Sequence, residues 1–485
     1  MEGATTFRFL NEAHGLTAAG GWNDPQHEKL WLYNLHYFDD LNATGAPSRH
    51  AWHQALLLRW IAENHPTAGN GWEPYPTSLR IVNWIKWSLA GNALPDAVLS
   101  SLALQARWLS QRLEWHLLGN HLFANAKALL FAGLFLEGEE PTRWRETALA
   151  IIFRQLPEQV LPDGGNFERS PMYHAIFLED LLDMINGAAA FPGSVSPSAV
   201  EAWGETARRM LAWMGTMTHP DGEIALFNDA AFGIAPSPVM LAAYAARLGL
   251  TATVPDQSLL RLPDSGYIRL QTEKAVALLD VAPVGPDYLP GHAHADTLSF
   301  ELSVHGWRVV VNGGTSRYGG GNERLAERRT RAHSTLEING EDSSEVWGGF
   351  RVARRARPFA LEMDGGLLRV ACSHDGYRRL PGRPVHRRDW LMDASGITVT
   401  DRIEGRARTA VARFILHPQI QVSVLQTGIW RLVLPDGRSM RARAERGLGH
   451  LEEARYAPYF GQVLPAQCLS VVPADGQVVM RLSWD

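Results

Sequence analysis

Cysteine and lysine are both scarce in this chain of 485 residues: two cysteines, Cys372 and Cys468, and four lysines among 46 basic side chains. Two cysteines leave no disulfide framework, so the fold must rest on buried apolar surface. Long apolar runs are missing too. No stretch reaches the ~18 uninterrupted apolar residues of a membrane helix, and the N-terminus has no basic segment leading into an apolar one. The expectation is a chain with no membrane span and no visible signal peptide, cytoplasmic by default and periplasmic if an export signal has been trimmed. A net charge of −5 lacks the basic excess of a dedicated nucleic-acid binder. Apolar content of 46% excludes an extended disordered chain.

Arginine and tryptophan are plentiful. Twelve of the 17 tryptophans fall before residue 214, where a helical core or a sugar-facing surface would use them. This composition allows a polysaccharide enzyme without requiring one. At ~100–200 residues per domain, the length predicts two or three domains.

Between residues 50 and 250 the apolar period is helical. The runs are 51–61, 79–89, 97–113, 121–136, 144–156, 173–185, 202–217 and 238–248, with short loops carrying Gly, Pro, Asn or Asp. Eight helices of similar length without a heptad seam predict antiparallel helical hairpins, as in an α/α toroid or a solenoid. Near Leu260 the period changes to two. Residues 298–304 alternate, His305-Gly306 turns the chain, and 307–311 alternate back as a hairpin. Further two-period runs at 367–372, 389–403, 411–415, 429–434 and 478–484 predict an antiparallel sandwich. The expected fold is α+β and multidomain: an N-terminal (α/α) toroid over 1–255, then an antiparallel β-sandwich over 256–485.

Four clusters carry chemistry. Gly119-Asn120-His121 opens a helix, where Asn120 would serve equally as an N-cap. Glu168-Arg169-Ser170-Pro171-Met172-Tyr173-His174 enters another, and reads equally as a Ser-Pro helix start with Tyr173 in the core. His292 and His294, at i and i+2 of an extended segment, share a face, so one can hold a metal while the other faces a substrate. Asn312 to Tyr318 and Arg328 to Thr335 add a third imidazole, His333, and arginines able to grip acidic groups; a solvated loop is the alternative.

Four segments in this order, GNHLFANAKALLFAG, FERSPMYH, GHAHADTLSFEL and AHSTLEINGEDSSEVWGGFRVARRARP, resemble the heparinase II/III-like polysaccharide lyases, within the alginate lyase and heparinase superfamily. The likeness runs from WLYNLHYFDDL, at 31–41, to about Pro358. That first block resembles the branch commonly found with bacterial exopolysaccharide and capsule genes. The resemblance implies an α/α toroid followed by a β-sandwich, with the active site in the cleft between them. It implies that Asn120 and His121 contact a uronate carboxylate, that Tyr173 is base or acid, and that His292 is catalytic. It also implies a structural zinc on His294, His333 and the residue at 312. Here the chain departs: Asn312 stands where the family has Asp, which weakens or empties the site unless another group such as Asp296 completes it. Arg80, Glu168 and His174 are candidate substrate contacts.

These residue types suit a β-elimination on an acidic polysaccharide or oligosaccharide. Removing the C5 proton beside a carboxylate builds enolate-like charge, which an amide and an imidazolium would stabilise. Tyr173, lowered by nearby cations, or His292 would move the proton. Two other readings remain: an α/α-toroid glycoside hydrolase, which needs a second carboxylate besides Glu168, and a non-catalytic glycan-binding protein of exopolysaccharide assembly.

Overall fold

A computed structural model describes every residue from Met1 to Asp485. After a short hairpin of Thr6–Phe9 and Glu12–Gly15, nine α-helices precede the two large sheets: α1 (Lys29–Tyr37), α2 (His50–Glu63), α3 (Pro74–Leu89), α4 (Asp96–Ser110), α5 (Gly119–Phe135), α6 (Glu139–Gln159), α7 (Pro171–Ala190), α8 (Pro197–Thr216) and α9 (Pro238–Arg247). Four of them begin on proline, which has no N–H to leave unpaired in a first turn and a preset helical φ. The eight expected helices correspond to α2 through α9. The ninth, α1, lies in the WLYNLHYFDDL block and is too short for a periodic signal.

By compactness the chain divides into Met1–Gln159 with Asp180–Glu205, and Val160–Glu179 with Thr206–Asp485. Helices give way to strands between Arg247 and Leu259, around the expected residue 255. The division by compactness falls instead at the end of α6 and inside α7 and α8.

The first unit is helical and packed on tryptophan. Trp22, Trp60 and Trp84 are fully buried, and the Arg80 guanidinium lies 3.9 Å over the Trp60 ring. Core packing thus takes up much of the tryptophan excess. Gly133 marks where α5 meets α6: a Cβ there would come within 2.6 Å of the Pro141 carbonyl oxygen. Only glycine allows that approach.

In the second unit two antiparallel sheets face each other. One holds nine strands, in the order Leu448–Tyr459, Gln462–Val472, Ala410–Leu416, Trp307–Val310, Phe300–Val304, Ala275–Asp280, Tyr267–Gln271 and Leu259–Leu262, with Leu336–Ile338 also paired to Ala410–Leu416. The other holds eight, in the order Pro358–Asp364, Arg369–His374, Val385–Asp393, Gly396–Glu404, Gln477–Ser483, Ser439–Arg446, Ile429–Val433 and Gln421–Gln426. Ile268, Leu302 and Phe414 from the first meet Trp390, Val399 and Leu482 from the second in one core. The expected hairpin is present, with Val304 opposite Trp307. His305 and Gly306 both take positive φ, 51° and 86°, the backbone twist a two-residue turn between right-twisted strands requires. No helix is long and apolar enough to cross a membrane.

Candidate active site

Within the second unit, three segments far apart in sequence are laced together. Ser170 precedes α7 and accepts the Tyr173 N–H at 3.2 Å, so the Ser-Pro helix start is real. The same hydroxyl donates to the Asp229 carbonyl oxygen at 2.5 Å. The Asp229 N–H in turn donates to the His292 carbonyl oxygen at 2.9 Å, and the His294 N–H to Asn228 Oδ1 at 3.0 Å. Asn228 holds a left-handed φ of 57°, which Asn tolerates better than most residues. Tyr173 and His292 are thereby held face to face, with ring centroids 3.9 Å apart.

Asp229 is the hub. One carboxylate oxygen accepts from His292 Nδ1 at 2.8 Å and the other from His294 Nε2 at 2.8 Å. Arg324, on a short helix α10 (Asn322–Arg328), donates through Nη2 to Oδ2 at 2.6 Å and through Nη1 to Oδ1. Burial alone would raise this carboxyl, but the Arg324 guanidinium and the two imidazoles hold it well below the usual carboxylate range. Because the carboxylate only accepts, the His292 ring places an N–H at Nδ1 and turns Nε2 away from Asp229. Glu168 Oε2 lies 3.7 Å from that Nε2. The Tyr173 hydroxyl meets the Tyr318 hydroxyl at 2.9 Å, and the Arg324 guanidinium lies 5.1 Å over the Tyr318 ring. Burial pushes the Tyr318 phenol well above its ordinary value.

The zinc set anticipated on His294, Asn312 and His333 is only partly assembled. His294 Nδ1 and His333 Nε2 converge at 3.2 Å, both rings buried and neutral: burial lowers His294 to about 4 and holds His333 well below its ordinary value. No third His, Cys, Asp or Glu joins them. The Asn312 amide is engaged on both sides, donating to Ser299 Oγ at 3.3 Å and accepting the Ser334 N–H at 3.3 Å. Asp296, the suggested substitute, accepts the Asn228 N–H at 3.1 Å, and burial raises it to about 6. A closed zinc site needs four good donors. This donor set does not fit one.

The first unit holds the other expected pair. α5 begins at Gly119 with Leu118 in the cap position, so Asn120 sits in the first turn and is no N-cap. Burial raises the Tyr75 phenol well above its ordinary value, an effect the nearby Asn120 side chain opposes, and the Tyr75 ring lies 4.5 Å from that of His121. His121 Nδ1 donates to Glu114 Oε1 at 3.1 Å.

Two expected substrate contacts are corrected. Arg80 is fully buried and donates to Gln105 Oε1 at 2.8 Å and to the His36 carbonyl oxygen at 3.3 Å, holding helices together. His174 is also fully buried: Nε2 donates to the Met210 carbonyl oxygen at 2.9 Å and Nδ1 accepts the Asn166 N–H at 3.3 Å. Burial lowers His174 to about 3, so it is a neutral core histidine. Asp229, Arg324 and Glu114 escaped the sequence reading. Asp229 had a faint signal: Asn228-Asp229 is an isolated polar pair between Ala225-Leu226-Phe227 and Ala230-Ala231-Phe232.

Residues 56–248 match the family model of the heparinase II/III N-terminus, and residues 254–485 that of the heparinase II/III-like C-terminal domain. The chain belongs to the heparinase II/III-like family. A heparin-sulfate lyase of Pedobacter heparinus is 25% identical over 335 residues, covering 64% of this chain and 47% of that protein. A heparin-sulfate lyase of Bacteroides stercoris is 22% identical over 325 residues, covering 63% and 46%. The matches thus span about half the length of these curated relatives. A crystal structure of heparinase III superposes with a TM-score of 0.75 at 18% identity, covering 98% of this chain and 79% of that one. The heparinase II/III-like fold is therefore that of an α/α toroid followed by a β-sandwich.

Proposed function

We propose that this heparinase II/III-like chain is a polysaccharide lyase that cleaves an acidic, uronate-containing polysaccharide by β-elimination. The observation that carries the reading is the Tyr173–His292 pair, stacked at 3.9 Å with His292 Nδ1 committed to a buried carboxylate. Binding alone has no use for an oriented base beside a phenol. Family membership and relatives named heparin-sulfate lyases favour a sulfated glycosaminoglycan as substrate.

In the proposed reaction His292 Nε2 and the Tyr173 hydroxyl divide the proton work. One takes the C5 proton and the other protonates the C4 oxygen as it leaves, giving an unsaturated uronate end. The Tyr173–Tyr318 hydrogen bond would hold the phenol in place, and Asp229 would orient the imidazole. Asn120 and His121 are assigned the uronate carboxylate, where donors stabilise developing enolate charge. No step runs through zinc, since the donor set does not complete its site.

The test is ultraviolet absorbance of the unsaturated product over a panel of uronate polymers, heparan sulfate included. Tyr173→Phe and His292→Ala should each cut the rate by about 10²–10⁴-fold. Full activity in both variants would refute the assignment. Reducing ends released without absorbance would point to a hydrolase.

A further inference from the structure

The loop between α4 and α5 carries Glu114, a carboxylate that is 6% exposed and has no part in the mechanism above. Asn125, one turn after His121 on α5, grips it twice. Asn125 Oδ1 accepts the Glu114 N–H at 2.8 Å, and Asn125 Nδ2 donates to Glu114 Oε2 at 2.9 Å. A second Nδ2 proton goes to Ser78 Oγ at 3.0 Å, and Ser78 is itself tied to the Pro74 carbonyl oxygen at 2.8 Å. With Oε2 fixed this way, Oε1 faces His121 Nδ1 at 3.1 Å. The His121 side chain is one-third exposed, whereas that of Glu114 is buried beneath it.

We propose that Glu114 is the positioning residue of His121: it fixes the Nδ1–H form of the ring, directs Nε2 outward, and supplies the counter-charge for an imidazolium that binds an anionic sugar carboxylate. The chemistry follows from the donor inventory. With Nδ1–H committed to Glu114, Nε2 donates to an anion only when both nitrogens are protonated. In the substrate complex Nε2 takes up that second proton against the sugar carboxylate, so Glu114, His121 and the substrate carboxylate make a minus-plus-minus relay. This deepens the lyase reading and rests on it for the identity of the anion.

Glu114→Gln separates positioning from packing. The Asn125 amide nitrogen needs an acceptor, so the glutamine oxygen must take the Oε2 place. Its NH2 group then faces His121 Nδ1, which has to become an acceptor. The ring tautomer should invert to Nε2–H while the bonds to Asn125 survive. Two measurements decide it. In 15N NMR of histidine-labelled protein without substrate, the Nδ1–H signature of His121 is expected in the wild type and Nε2–H in E114Q, with unchanged thermal unfolding. In the lyase assay on heparan sulfate, replacing a charge-assisted bond by a neutral one should lower kcat/KM by about 10-fold, mostly through KM. An unchanged tautomer, or an inverted tautomer with wild-type kcat/KM, would overturn the proposal. If the wild type releases no unsaturated product from any uronate polymer, the lyase reading fails, and the NMR comparison still decides whether Glu114 sets the ring.

Discussion

Replacing Asp229 by Asn should cost more than any other single isosteric change near His292. The side chain is fully buried and answers Arg324 bidentately, which is itself fully buried. With charge centres about 4 Å apart, an effective dielectric of about 20 gives roughly 4 kcal/mol of attraction. Removing one partner of a buried pair costs about 3–5 kcal/mol, because the other is left uncompensated. The two figures agree. Such a loss should appear locally, as exchange about 10²–10³-fold faster in amides of 225–232, 292–296 and 322–328, measured by hydrogen-exchange mass spectrometry. Arg324→Met should do the same. The double variant D229N/R324M should regain most of the protection, since no charge is stranded, yet stay at least about 10-fold less active, because an amide oxygen gives the His292 Nδ1–H a neutral acceptor in place of a carboxylate. Wild-type exchange in D229N would show that the pair contributes nothing. Wild-type activity in the double variant would show that the Asp229 charge does nothing for His292.

Three further outcomes follow from the same geometry. His36 and His174 are buried neutral, both lowered to about 3 by burial. The unfolded chain binds their protons from about pH 6.5 downward and the folded chain does not, so stability falls as pH drops from 6.5 toward 3. Each contributes about 1.4 kcal/mol per pH unit across that window; urea midpoints at pH 7 and 4.5 measure it, and His174→Gln should flatten the slope. Burial pushes Cys372 and Cys468 up to about 11 and about 12, so a thiol reagent at pH 8 should find neither in the native protein and both in urea. Dialysis against a chelator should leave lyase rate and unfolding temperature unchanged, because Asn312 supplies no carboxylate to His294 and His333; a loss of either would restore zinc to the site.

Local pattern was legible where a segment's neighbours lie close in sequence. The 300–310 hairpin was readable because the turn His305-Gly306 and both alternating strands are contiguous. The strands Leu448–Tyr459 and Gln462–Val472 were not: Glu452, Glu453 and Arg455 sit in the first, and Pro465 pairs opposite Arg455. The first is the edge of its sheet, where charge is tolerated, and Pro465 lies beyond the stretch of the second that pairs with Ala410–Leu416, so both compositions read as loop. The same limit explains the site. His292 and Tyr173 could be named because the segments that resemble the family carry them, but Asp229 is 63 residues from His292 and 95 from Arg324, and the isolated Asn228-Asp229 pair does not say what it meets. Glu301 shows what alternation conceals. It occupies a polar slot in a strand, yet it is fully buried and binds His219 Nε2 at 2.9 Å and Arg308 Nη1 at 3.3 Å. Periodicity reports which residues share a face, not whether that face meets water. His174 and Arg80 mislead for a related reason: a polar residue within a motif or an apolar helical run looks functional until its partners are known. Both prove to be satisfied inside the protein, His174 by backbone groups and Arg80 by backbone and side-chain acceptors together. A buried polar side chain with every donor and acceptor matched within the protein has nothing left to offer a ligand, which sets these two apart from His121, paired through one nitrogen and one-third exposed.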